Sequence, residues 1–266
     1  MKFKTIKKGA EYVLLTLISC VFALPLLFLI FQAFSGISGS LTGDNFLLVL
    51  LKSRNNQAFS MGMKISLAVS LLTIALSLTG ALLLSRRKGK NEDSILSVIL
   101  LLSGLPFCTL VIPLYFVLFA LKLLDSVPIT ILFLAAANIP STIWILRQFM
   151  NTIPGEIEET SRIDGTTYWV FFSRILLPQL LPVITGTLVT TFINCWGNFI
   201  VPFILLSSSD KLPTALAFFQ VFSTGDPSLY GYLSAYAILY YIPVIALFLI
   251  LRLGMPRLFV MQRLKT

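Results

Sequence analysis

Between residues 153 and 178 four carboxylates, Glu156, Glu158, Glu159 and Asp164, stand close to two guanidiniums, Arg162 and Arg174. Acids gathered at this spacing fit two readings. One is a short solvated helix with a Glu158–Arg162 pair at i, i+4. The other is a surface that docks on a basic partner. Chemistry elsewhere is sparse. The chain has no histidine, which excludes histidine catalysis and histidine metal ligands. Its three cysteines, Cys20, Cys108 and Cys195, fall in apolar stretches and read as small core residues rather than as disulfides or a zinc site. No GxxxxGK[ST] phosphate loop occurs, so the chain is not expected to bind ATP itself.

The elements that must position these groups follow from charge. Of 266 residues 57% are hydrophobic and 12% charged, with a mean hydropathy of +0.92, about half the charge of an ordinary soluble domain. So little charge cannot cover a water-facing surface. Six stretches without Asp, Glu, Lys or Arg, namely 12–43, 65–85, 94–121, 126–146, 175–209 and 227–251, are each 21 residues or longer. A helix of about 20 apolar residues crosses a bilayer. Trimmed to their apolar parts, the stretches predict spans near 12–34, 62–85, 95–120, 127–147, 181–206 and 233–251.

The net charge of +9 is not that of a nucleic-acid binder, because it is sorted by topology. Fifteen of the twenty basic residues, Lys2, Lys4, Lys7, Lys8, Arg86, Arg87, Lys88, Lys90, Arg147, Arg162, Arg174, Arg252, Arg257, Arg263 and Lys265, fall on one side; Lys52, Arg54, Lys64, Lys122 and Lys211 fall on the other. The positive-inside bias then places both termini in the cytoplasm. Leu17-Ile18-Ser19-Cys20 has the look of a lipoprotein signal, but Val21 to Phe34 stays apolar, too long for a simple cleaved leader.

Within the segment 148–179, Pro154 and Gly155 open a first short helix whose acids suit its positive end. Asp164-Gly165 closes it, since glycine takes the left-handed cap. A second, amphipathic helix, Tyr168–Leu176, would lie at the interface. Acids contribute little to topology, so orientation does not account for the cluster. A second polar segment, 207–231, is expected to be an ordered external loop.

The spacing Glu159-Thr160-Ser161, three residues, Gly165, nine residues, Ile175, then Leu177-Pro178 resembles the EAA loop of binding-protein-dependent ABC importer permeases, with Thr160 and Ser161 in place of two alanines. Pro113-Leu114-Tyr115, Leu123-Leu124-Asp125, Trp144 with Leu146-Arg147, Arg162-Ile163-Asp164-Gly165 and Cys195-Trp196-Gly197-Asn198-Phe199 are similar to the carbohydrate-uptake, MalG-like branch. Asn198 stands where that branch commonly has Glu. The resemblance covers about residue 60 to the sixth span.

It implies an all-α integral membrane protein with six transmembrane helices and a cytoplasmic coupling helix. The first span and its N terminus would occupy 1–34, an external segment 35–60, and the transmembrane domain 61–266, with the EAA loop at about 149–180. The implied function is half of an importer pore in a bacterial cell membrane. The implied partners are a second homologous permease subunit, two ATPase subunits carrying ATP and Mg, and an extracytoplasmic solute-binding protein. Glu156, Glu158, Glu159, Thr160, Ser161, Arg162, Asp164 and Gly165 would couple to the ATPase. Asn194, Trp196, Asn198, Tyr232, Tyr236 and Tyr240 would line a sugar pathway, since amides bond hydroxyls and flat rings stack on sugar faces; helix packing and interface anchoring are the competing roles for them. The alternatives are a permease for another solute, such as glycerol phosphate or a polyamine, and a secondary transporter. The latter would need intramembrane acids and internal repeats, and neither is visible.

Overall fold

The computed structural model describes residues 2–36, 41–86, 92–104 and 107–254, and these are helical nearly throughout. Among the described residues twelve α-helices follow one another: α1 (Lys2–Ala33), α2 (Asp44–Leu51), α3 (Ser53–Arg86), α4 (Glu92–Ser103), α5 (Phe107–Ala120), α6 (Val127–Met150), α7 (Glu156–Ile163), α8 (Tyr168–Phe171), α9 (Leu177–Trp196), α10 (Ile200–Leu205), α11 (Thr214–Phe222) and α12 (Tyr230–Gly254). Among the described residues the one β-bridge pairs Ser35 with Leu41.

Among the described residues five stretches are long and apolar enough to cross a membrane: Leu14–Ala33, Ser53–Ser85, Val127–Met150, Tyr168–Trp196 and Pro227–Leu253. The expected span 95–120 is instead two shorter helices, α4 and α5. Residues 105 and 106, with Pro106, lie outside the described residues, as do the C-terminal 255–266.

Two further boundaries differ from the sequence reading, each for a local reason. Helix α3 starts at Ser53, ahead of the expected 62, because its polar first turns are tied by side chains. Asn55 Nδ2 donates to Val49 O at 2.7 Å, and Asn56 Nδ2 to Leu50 O at 2.9 Å. The expected span 181–206 breaks after Trp196. Gly197 caps α9, and Asn198 Oδ1 accepts from Val201 N at 3.0 Å to start α10 afresh.

The chain forms two compact units, 1–56 with 218–242, and 57–217 with 243–266. In the first, the large apolar side chains of α1 from Leu14 to Phe31 are nearly all exposed. Asn45 Nδ2 donates to Ala33 O and Ser35 O, both at 3.0 Å, fastening α2 to the end of α1. Asn55 Nδ2 also donates to Tyr232 Oη at 2.8 Å.

In the second unit, α3 meets α6 along small and hydroxylated residues. Ser66, Ser70, Thr73, Ser77 and Ala81 are buried on one face of α3. Thr73 Oγ1 and Ser77 Oγ make long hydrogen bonds to Ala135 O (3.5 Å) and Ile139 O (3.4 Å). Small residues let membrane helices approach closely where lipid leaves no hydrophobic gain between them. Two apolar clusters fill this unit. One joins Ile65, Val69, Val111, Leu134, Cys195 and Leu205. The other joins Ala81, Leu146, Met150, Ile153, Phe171, Leu176 and Leu180. Cys195 is thus a core residue as expected, whereas Cys20 is exposed on α1; the side chain of Cys108 lies outside those described.

Gly62 marks a close approach in this unit. A Cβ there would come within 2.7 Å of Thr214 Oγ1, 3.1 Å of the Trp196 ring and 3.2 Å of Thr214 N. Gly62→Val is expected to lower the thermal unfolding midpoint in detergent, at a cost of about 1–3 kcal/mol for overpacking. Gly186→Val, at a position with open space around it, should leave the midpoint unchanged. Equal midpoints for the two variants would show that the Gly62 contact does not limit packing.

Candidate functional site

The acid-rich segment folds as its sequence predicts, as helix α7 ended by glycine. Glu156, Glu158 and Glu159 fill its first turn, where unpaired N–H groups attract negative charge. Gly155 precedes it, and Glu158 N and Glu159 N donate to Gly155 O. At the other end Gly165 has φ +74°, a conformation that costs an L-residue about 1–2 kcal/mol. The amide and hydroxyl of Thr166 both donate to Ser161 O, at 3.1 and 2.7 Å, and the Ser161 and Thr166 hydroxyls bond each other. Ser161, standing where the EAA pattern has alanine, thus closes the exit turn.

The helix has two faces. Glu158 and Ser161 are buried, and Ile157 packs on the cluster containing Leu146, Met150, Phe171 and Leu176. Arg162 Nη2 donates to Glu158 Oε1 at 2.8 Å, so the i, i+4 pair exists and uses Glu158 locally. Glu156, Glu159, Thr160 and Ile163 form the opposite stripe and are exposed, Ile163 to 85%. Of the eight residues predicted for coupling, then, Glu158 and Ser161 face inward, while Glu156, Glu159, Thr160, Arg162, Asp164 and Gly165 are exposed. Ile163 was not singled out from sequence. A lone Ile between Arg162 and Asp164 carries no periodic signal in an eight-residue helix.

The expected interface helix Tyr168–Leu176 is not a separate element. Helix α8 passes through a π turn, Phe172–Leu176, directly into α9, with Leu177 N donating to Phe172 O. Pro178 has no N–H for the carbonyl four residues back and its ring crowds that carbonyl, which favours the wider turn before it. Tyr168 and Trp169 are exposed, to 54% and 71%.

The residues predicted for a sugar pathway divide between the two units. In one, Asn194 is exposed, Asn198 accepts from Val201 N in the first turn of α10, and Trp196 is buried, stacked on Phe192 at 5.8 Å. In the other, Tyr232 is buried under Lys52 Nζ, 4.6 Å from its ring, and Tyr236 is fully buried 5.5 Å from the Phe218 ring. Tyr240 is half-buried. Trp196, Tyr232 and Tyr236 therefore pack the interior of this chain, which leaves Asn194, Asn198 and Tyr240 with accessible surface.

The two faces of α7 separate two adjacent acids in function. Glu158→Ala should speed amide hydrogen exchange across 156–164 several-fold, whereas Glu159→Ala should leave it unchanged. Equal acceleration by both would mean that Glu158 does not anchor the helix.

The family described as binding-protein-dependent transport system inner membrane component matches residues 72–260. The maltodextrin transport system permease protein MdxG of Bacillus subtilis is 25% identical over 258 residues, covering 94% of this chain and 93% of its own. The diacetylchitobiose uptake system permease protein DasC of Streptomyces coelicolor is 30% identical over 193 residues, 71% of this chain and 68% of its own. The arabinooligosaccharides transport system permease protein AraQ of Halalkalibacterium halodurans is 29% identical over 215 residues, 79% and 75%. A bacterial ABC transporter involved in import of the acidic polysaccharide alginate contains a chain of the same fold, with TM-score 0.78 and 16% identity over 95% of this chain and 97% of that one. The match over residues 72–260 takes in α7 and every long helix after α3, and the chain is a multi-pass membrane protein that belongs to the inner membrane components of binding-protein-dependent transport systems.

Proposed function

We propose that this chain forms half of the translocation pore of an ATP-driven importer of sugars or oligosaccharides, and that α7 is its coupling helix. The observation that carries the reading is the exposed stripe Glu156, Glu159, Thr160 and Ile163 on a short helix whose other face is anchored in the protein. Two carboxylates followed along the stripe by an exposed isoleucine suit a cleft with a basic rim and an apolar floor. Ile157 joins α7 to a cluster drawn from α3, α6, α8 and α9, so displacement of α7 acts on three spans at once.

The partners in this reading are a second homologous permease subunit, two ATPase subunits that hold ATP and Mg, and an extracytoplasmic solute-binding protein. ATP supplies its energy on those subunits, and this chain transmits it. Each ligand shifts the pore between its two states only through its differential affinity for them. The sugar class is supported by the names of relatives that carry maltodextrin, arabino-oligosaccharides and diacetylchitobiose. Asn194, Asn198 and Tyr240 are the accessible groups that would meet a hydroxylated solute. Both termini and α7 lie in the cytoplasm, on the side that carries fifteen of the twenty basic residues.

Glu159→Lys, by setting like charges against each other at the docking site, and Ile163→Asp, by burying a carboxylate on an apolar floor, should each reduce copurification of the ATPase and cut uptake about tenfold or more. Uptake in the wild-type complex is followed with labelled maltodextrin, arabino-oligosaccharide and diacetylchitobiose. Normal assembly and uptake in both variants would remove α7 from coupling. Uptake of glycerol phosphate or a polyamine, with none of the three sugars carried, would remove the sugar assignment.

Orientation has its own test. Cysteines at the exposed positions Thr152 and Thr224 should react with an impermeant thiol reagent from opposite sides of the membrane. Reaction from one side only would overturn the topology.

A further inference from the structure

One carboxylate ties together two turns far apart in sequence. Asp125, between α5 and α6, accepts through Oδ1 from the amides of Ser207 at 2.9 Å and Ser208 at 3.0 Å. Through Oδ2 it accepts from the Ser208 hydroxyl at 2.5 Å and the Lys211 ammonium at 2.6 Å. Its own amide donates to Leu205 O at 2.9 Å, and its carbonyl accepts again from Lys211 at 2.7 Å. Lys122 and Asp125 both have positive φ, 56° and 60°. Each costs about 1–2 kcal/mol in an L-residue, and a mere connecting turn would avoid that cost with glycine.

The latch is not needed to bury this part of the chain. Leu205 and Leu206 before it and Leu212–Ala217 after it are buried, and Thr214 Oγ1 donates to Ala58 O at 3.0 Å. What Asp125 adds is the shape of the arch between those anchors, from which Ser207, Ser209 and Asp210 face outward. The same bonds hold the arch beside the exposed Leu121, Lys122 and Leu123 of the α5–α6 turn. Two flexible turns thereby become one preformed surface, on the side opposite α7 in the topology above.

We propose that Asp125 is a positioning residue for docking of the extracytoplasmic binding protein: its latch to Ser207, Ser208 and Lys211 presents the 207–210 arch and the α5–α6 turn as a single landing surface. This rests on the binding-protein-dependent importer reading. A preformed surface binds more tightly because the ordering cost is met before the partner arrives. The latch also stays closed across ordinary pH. The Lys211 ammonium foremost, then the Ser208 and Ser207 donors, hold the Asp125 carboxyl well below the usual carboxylate range. Its folded pKa lies under its unfolded one. The stabilisation is therefore complete above the usual carboxylate range and is lost only as pH falls through the depressed value.

The test uses the whole complex in proteoliposomes, with the binding protein loaded with whichever of the three oligosaccharides the wild type transports. ATPase activity is measured against binding-protein concentration. Asp125→Asn keeps an acceptor for the amides and removes the ion pair, Lys211→Met removes only the ion pair, and Lys211→Arg retains it. The first two should raise the half-saturating concentration of binding protein about tenfold, the loss of roughly one charge-assisted bond. Basal ATPase and the maximum at saturation should not change, and Lys211→Arg should behave as wild type. Half-saturation unchanged in an assembled Asp125→Asn complex would overturn the proposal, and so would loss of assembly in both Asp125→Asn and Lys211→Met, which would make the latch a requirement of folding. A wild-type complex that no loaded binding protein stimulates would instead overturn the importer reading, and is separable because it concerns the unaltered protein.

Discussion

Lipid offers a peptide group no hydrogen-bonding partner, so each buried or lipid-facing N–H and C=O must be satisfied within the chain. That constraint orders everything else in this protein. The spans are helices because a helix satisfies itself, and their hydroxyls turn inward on the same ladder: Thr142 donates to Asn138 O and Thr187 to Val183 O. Breaks in the ladder occur where a side chain or glycine can repair it. Gly197 and Asn198 between α9 and α10 do so; prolines 113, 140 and 243 lie inside helices, each removing one donor from the ladder.

Helix α7 is the counterpart outside the lipid. Eight residues are too few for a helix that stands alone in water. It persists because Ile157 packs it on the protein, with Glu158 and Ser161 buried, because Arg162 pairs with Glu158 along it, and because Gly165 and Thr166 close its end. Anchoring on one side leaves the other side, with its acids and Ile163, fully available. Rigidity and exposure are thus produced by the same eight residues, divided by face.

What could be read from sequence follows the range of the forces involved. The charge-free stretches located five long spans because burying charge in lipid is costly at any position. They misplaced the start of α3, whose polar turns survive through Asn55 and Asn56, bonds with no linear signature. They also ran the fifth span through Gly197 and treated 95–120 as one helix. The α7 segment was legible to its last residue, since glycine at a cap and acids in a first turn are local rules. Its two faces were not. Glu158 and Glu159 are adjacent and alike in sequence, and tertiary packing alone distinguishes them. Trp196, Tyr232 and Tyr236 drew attention as polar aromatics, yet packing takes their rings inside. Asp125 was visible as part of a turn, and the four bonds its carboxylate accepts from a segment 82 to 86 residues away were not.

The π turn at Phe172–Leu176 carries one extra residue for its turn of helix. Loss of any single residue there would let the segment relax to an ordinary α-helix. Everything upstream would then rotate by about 100° around the axis and advance by about 1.5 Å. The stripe of α7 would swing away from its present bearing while every one of its residues remained intact. The sequences that keep α7 on this bearing are therefore constrained in length as well as in identity across 166–178. Point changes in this stretch are negotiable one by one, but an insertion or deletion changes the phase of the whole lever.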